Sequence, residues 1–308
     1  MLLKRYLKLT LQIFFSAGVL WWVAYKLGWH NLTDTFAKIS LPVLGVGVCL
    51  YLAAQILSSW RWAIVSRVLG FKGSFWNYNS LYFLGMFYNL FLPTGYGGDV
   101  VKVLYQATDR RPPSKIFSAI TIFLDRLSGL AALLLIGGIA SLELKDQLGM
   151  YRVLMCGCLV AMIAGALALL FLLPKFSFVP RKLRFMALIM RKKSASFIPI
   201  GLLSLVIQLL NIFIYTMVFQ SLAAHLTFAQ VVFAYAVVTI ATLLPVSING
   251  LGVRESGWAG LVTTFGADPT VGFSAGLVYF LVQTISSLGG LIPFFTVRSR
   301  KSGEAQTL

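Results

Sequence analysis

The stretch FLPTGYGGDVVKVL, residues 91–104, puts a proline, three glycines, an aspartate and a lysine into a chain whose surroundings read as lipid-soluble. A spanning helix wants none of them: proline lacks an N–H, and glycine costs about 1 kcal/mol in a helix interior. The surroundings are unambiguous. Of 308 residues 58% are hydrophobic and only 11% charged, and 153–173 and 197–224 carry no charge at all. A soluble chain would hold roughly twice that charge, and the alternating segments of an outer-membrane barrel are absent. The composition predicts an all-α polytopic membrane protein, because helices satisfy their own backbone hydrogen bonds in lipid.

The net charge of +17 comes from 26 basic against 9 acidic residues, clustered beside apolar segments. It reports topology rather than nucleic-acid binding, which no reading motif supports. Expected full spans are 8–27, 41–66, 114–140, 150–173, 197–223 and 271–297, with interrupted apolar blocks at 74–108 and 228–266. The N-terminal run is long enough to span and is read as an uncleaved helix. Lys4, Arg5 and Lys8 precede it, Lys175 to Lys193 fill one basic loop, and Arg298, Arg300 and Lys301 follow the last span. All belong on the cytoplasmic side, giving an N-in, C-in, multi-pass protein of the cell inner membrane.

That orientation makes each interrupted block start and end on one side of the membrane, as a re-entrant hairpin. The chain then reads as a single integral membrane domain, 1–308, whose halves, about 1–145 and 150–300, are inserted in opposite senses. The second block carries LPVSINGLGVRES at 244–256, and Pro93 matches Pro245, Gly98 matches Gly250 and Lys102 matches Arg254, each at an offset of 152 residues. One shared offset near half the chain length points to an inverted repeat.

Broken backbone at membrane depth survives only where protein or a water-filled cavity supplies partners, so the tips, with Gly97, Asn249 and Gly252, imply a polar cavity. Each half-helix after a tip aims its N–H groups inward, and Lys102 and Arg254 add full charges, which describes an anion site. Asp99 and Glu255 either hold those cations or bind a coupled ion. Asp125 and Arg126, in TIFLDRLSGL at 121–130, form a second intramembrane constellation, with Arg126 a further phosphate ligand and Asp125 a supporting acid. Arg61, between Trp60 and Trp62, reads as an interfacial anchor. Gln208 and Asn211 read as interhelical hydrogen-bond partners, and Gly45, Gly47, Gly289 and Gly290 as packing glycines.

Enzymatic constellations do not assemble. There are two histidines, no phosphate-binding Gly-Lys-Ser/Thr loop, and three cysteines, all in apolar segments. No cofactor and no metal are expected.

The chain resembles the flippase-like family named for the membrane region of lysylphosphatidylglycerol synthase. The resemblance is carried by LPTGYGGDVVKV, by DRLSGL at 125–130 and above all by LPVSINGLGVRES. It implies a polytopic domain with re-entrant helices that moves amphipathic lipids, such as aminoacylated phospholipids, prenyl-phosphate carriers or hopanoid-type lipids, between leaflets. It singles out Pro93, Gly97, Gly98, Asp99, Asp125, Arg126, Pro245, Asn249, Gly250, Gly252, Arg254 and Glu255. The sequence ends at Leu308 without an aminoacyl-transferase domain, so translocation is expected rather than lysyl transfer. Membrane lipids are the expected partners, with a separate lipid-modifying enzyme as a candidate. Two alternatives stand beside this: a membrane-embedded transferase, or subunit of one, using Asp99 or Glu255 as base on a prenyl-linked glycan, and an ion or small-solute transporter.

Overall fold

Ser40, Ser114, Thr227 and Asp268 each stand immediately before a helix, and three of the four cap it. The Ser114 side chain accepts from Phe117 N–H, Thr227 and Gln230 form a reciprocal capping box, and Asp268 accepts from Thr270 N–H at 2.8 Å. Capping matters here, because the first N–H groups of a helix have no partner within it. The computed structural model describes residues 37–91, 97–107, 114–144, 181–244, 247 and 249–295, with scattered positions in 18–34 and 153–165.

Among the described residues all regular structure is helical. The helices are α1 (Leu41–Val68), α2 (Phe75–Phe91), α3 (Gly97–Gln106), α4 (Lys115–Glu143), α5 (Arg181–Lys192), α6 (Phe197–Ser221), α7 (Phe228–Thr242), α8 (Val253–Thr264) and α9 (Pro269–Leu288). Four segments are long and apolar enough to cross a membrane: Leu41–Val68, Lys115–Glu143, Ser194–Ser221 and Pro269–Phe295. They correspond to four of the expected spans. The other two, 8–27 and 150–173, lie outside the described residues apart from scattered positions. At 10 and 12 residues, α3 and α8 are too short to cross a hydrocarbon layer of about 30 Å.

Residues 181–192, expected as part of a basic loop, instead form α5. Its apolar run, with good helix formers between terminal basic residues, explains the difference: Ala187 is buried and Met190 packs on the aromatic core around Trp62.

The surface inverts the pattern of a soluble protein. On α6, Ile198, Leu202, Val206, Leu209 and Phe213 form an exposed stripe at helical spacing, while Ile207, Asn211, Ile214, Tyr215 and Val218 are buried. Such a stripe suits lipid. The interior divides into one core around Tyr215, Phe233 and Trp258 and another around Trp62, Tyr78 and Phe117. A third cluster, Tyr51, Met86, Ile214 and Val282, joins α1, α2, α6 and α9 between them.

The order long helix, shorter helix, short helix, long helix occurs twice, as α1 to α4 and α6 to α9. The extensive helix contacts keep the same pattern when the two sets are exchanged. Thus α4 on α7 is matched by α9 on α2, α4 on α6 by α9 on α1, and α1 on α4 by α6 on α9, while α1 on α6 maps onto itself.

Candidate functional site: two broken tips and their buried charges

Where α2 gives way to α3, the backbones come into contact. The Asn89 side chain accepts the Gly98 N–H at 2.7 Å, capping α3, and a Cβ at Gly98 would overlap the Gly85 carbonyl. Only glycine allows that approach. Gly85 in turn leaves room for the Lys102 stem, whose Cε lies 3.3 Å from where a Cβ would stand.

This close seam sets the charges. Asp99, the third residue of α3, meets Lys102 Nζ at 2.6 Å, and its other oxygen accepts from Arg126 of α4, at 2.9 Å from Nη2 and 3.2 Å from Nε. Lys102 also lies over the Tyr82 ring, 4.5 Å from its centroid, and 5.5 Å from that of Trp62. Two cations therefore share one carboxylate, a formal excess of +1. Lys102 and Asp99 are almost closed off, at 6% and 12% side-chain exposure, but Arg126 stays 45% exposed. An excess charge in a low-dielectric setting attracts an anion strongly, and a guanidinium offers it a planar fork.

The second tip is built differently. Asn249, Gly250 and Gly252 all have positive φ, at 52°, 78° and 85°. Arg254, in the first turn of α8, donates from Nη2 to the Asn249 carbonyl at 2.9 Å and lies over the Tyr279 ring at 5.3 Å. Its Nη1 is buried and has no hydrogen-bond partner among the described residues. Glu255, the third residue of α8, accepts the Gly252 N–H with Oε2 at 2.6 Å, in the manner of a helix-capping glutamate. Pro93 and Pro245 lie outside the described residues.

Several expectations need correction. Arg61 is not an interfacial anchor: it is buried, donates from Nε to Asp125 at 2.8 Å and from Nη1 to Ser204 at 3.0 Å, and so ties α1 to α4 and α6. Asp125 and Arg126 also take separate direct partners. As sequence neighbours on a helix they diverge by about 100°, so Asp125 turns to Arg61 and Arg126 to Asp99. Lys102 and Arg254 also stand differently: Lys102 is held by Asp99, whereas Arg254 is held by the Asn249 carbonyl.

Other expectations match. Gln208 bridges the Gly129 carbonyl at 2.8 Å and the Tyr235 hydroxyl at 2.9 Å, and Asn211 accepts from Tyr279 at 2.7 Å. Gly47 packs on Val282 and Gly290 on the Phe83 backbone, although Gly45 faces open space.

The sequence reading missed the aromatic lining. Tyr279 stacks on Tyr215 at 4.7 Å and meets Tyr51 edge-on at 5.8 Å. Tyr51 of α1 packs with Met86 of α2, Ile214 of α6 and Val282 of α9. A hint lay in the sequence, since a tyrosine inside an apolar span needs a partner for its hydroxyl.

The family described as the lysylphosphatidylglycerol synthase TM region matches residues 9–290. No curated protein matches the chain.

Proposed function

Because the chain belongs to the lysylphosphatidylglycerol synthase TM region family, we propose that it is a lipid translocase of the inner membrane, carrying an amphipathic lipid with a phosphate-bearing headgroup between leaflets. The observation that carries this is Asp99 shared between Lys102 and Arg126, with Arg126 still half open. An arriving phosphate would meet that excess positive charge, and Arg254 Nη1, buried without a partner, offers a second donor. Tails would remain in the bilayer.

The helix contacts that survive exchange of the two sets support a repeat, and the basic flanks support insertion of its halves in opposite senses, rocking to alternate access. Asp99 is engaged by two cations, which counts against that residue as the base of a transferase. Membrane lipids are the proposed partners, together with a separate enzyme that modifies them.

The test is leaflet exchange of headgroup-labelled lipids of several classes in liposomes holding the purified protein. Exchange above that of empty liposomes is expected for at least one phosphate-bearing class. Arg126→Ala and Arg254→Ala should each slow it about 10-fold or more, the loss expected for a charge-assisted hydrogen bond. Exchange equal to empty liposomes in every class would refute translocation.

A further inference from the structure

Three acids lie at depth in the described bundle, and their surroundings differ. Asp99 has Lys102 and Arg126, and Asp125 has Arg61. Glu255 is 0% exposed, yet among the described residues no cation comes within 4.0 Å of its carboxylate. Its Oε2 takes a neutral backbone N–H from Gly252, and its Oε1 has no hydrogen-bond partner. A buried charge without a counterion is costly, and the usual resolution is neutralisation by a proton.

The groups around it give no other remedy. Arg254, the adjacent residue on α8, is directed to the Asn249 carbonyl and the Tyr279 ring. From α6 Tyr215 interacts electrostatically with Glu255, and α9 presents Gly276, whose missing side chain leaves room for the Glu255 Cα and Cγ. From α7, Val238 packs on the neighbouring Gly257. Tyr235, Tyr279 and Tyr51 complete the titratable set around Arg254. Arg254 acts on Glu255 only from beyond 4.0 Å and without a hydrogen bond, and none of the tyrosines is a counterion.

We infer that Glu255 is the proton-binding site of a proton-coupled transport cycle. The inference rests on the translocase reading and adds the driving ion to it. A proton from the aqueous phase on one side bonds to a Glu255 carboxylate oxygen, and is returned to water on the other side after the tip rearranges. Glu255 holds the N–H of Gly252 in a tip where three of four residues have positive φ, so its charge bears directly on the element that must move. Arg254 provides the link to cargo. Its positive charge favours ionised Glu255, and a phosphate bound to Arg254 cancels that influence. Anion and proton therefore bind cooperatively, and by linkage each strengthens the other equally.

Two measurements test this independently. In the first, infrared spectra of the purified protein at neutral pH are recorded for protonated carboxyl groups. Such a band is expected in the wild type and in Asp125→Asn and is absent in Glu255→Gln; no band in the wild type, or its survival in Glu255→Gln, overturns the proposal. In the second, liposomes carry headgroup-labelled phosphatidylglycerol and phosphatidylethanolamine with and without an imposed pH gradient. Wild-type protein should accumulate label severalfold under the gradient relative to symmetric pH, and in Glu255→Gln that ratio falls to one. A gradient response that persists in Glu255→Gln refutes the proton site. Lipid exchange missing from the wild type at symmetric pH refutes translocation instead, and the infrared result then still decides whether Glu255 holds a proton.

Discussion

Four arginine and lysine side chains inside the bundle do different work, and their surroundings say which. Arg61 is fully engaged by Asp125 and Ser204 and rests against Gly129, whose missing Cβ would stand 3.2 Å from its Nη1. Removing it would strand a buried carboxylate. Arg61→Ala is expected to cost about 3–5 kcal/mol, while Arg61→Met combined with Asp125→Leu should recover most of that loss. Thermal unfolding in detergent measures both; a double variant as unstable as the single one would mean that the pair does more than neutralise itself. Arg126, 45% exposed and sharing Asp99, is the opposite case. Its replacement should reduce lipid exchange far more than stability. The sequence made Arg126 and Arg254 legible as intramembrane cations, but it could not assign partners. Partnering depends on helix rotation, and two adjacent residues, Asp125 and Arg126, end up serving different helices.

At the scale of the element, the two tips use glycine for different reasons, and the difference is measurable. Gly98 permits contact between α3 and the Gly85 carbonyl, and Gly252 permits a φ of 85° immediately before α8. Gly98→Ala forces α3 from α2 and should destabilise by at least the 1–3 kcal/mol of ordinary overpacking. Gly252→Ala imposes a left-handed conformation on a side chain, at about 1–3 kcal/mol. Gly260, with nothing within 4 Å of a built Cβ, serves as the control: Gly260→Ala on the same helix should leave stability unchanged or raise it by up to about 1 kcal/mol. Unfolding midpoints for the three variants decide the matter, and equal effects at all three would contradict these local accounts. The tips themselves were readable, because a proline and clustered glycines interrupt a spanning helix wherever they stand in an apolar run. The partners of the tip charges were not: Asp99 and Lys102 pair with each other, whereas Arg254 turns to the Asn249 carbonyl and Glu255 to the Gly252 N–H.

For the whole molecule, hydropathy found all four long spans now described, and basic flanks gave them a sense of direction. The apolar seam that joins the halves, Tyr51 with Met86, Ile214 and Val282, was invisible, since apolar residues facing lipid and apolar residues facing protein look alike in sequence. Orientation remains a prediction that follows from charge bias together with the repeated helix order. If the halves are inserted in opposite senses, the turn between α1 and α2 and the turn between α6 and α7 occupy equivalent positions but face opposite compartments. Ser74 and His225 lie in those two turns. In a background where Cys49, Cys156 and Cys158 are replaced by serine, His225→Cys should react with a membrane-impermeant maleimide in right-side-out vesicles. Ser74→Cys should react only after the vesicles are opened. Equal labelling of both from the same side would rule out the inverted insertion. A cycle in which the two halves swap conformations would fall with it, because that route between inward-open and outward-open states needs repeats of opposite topology.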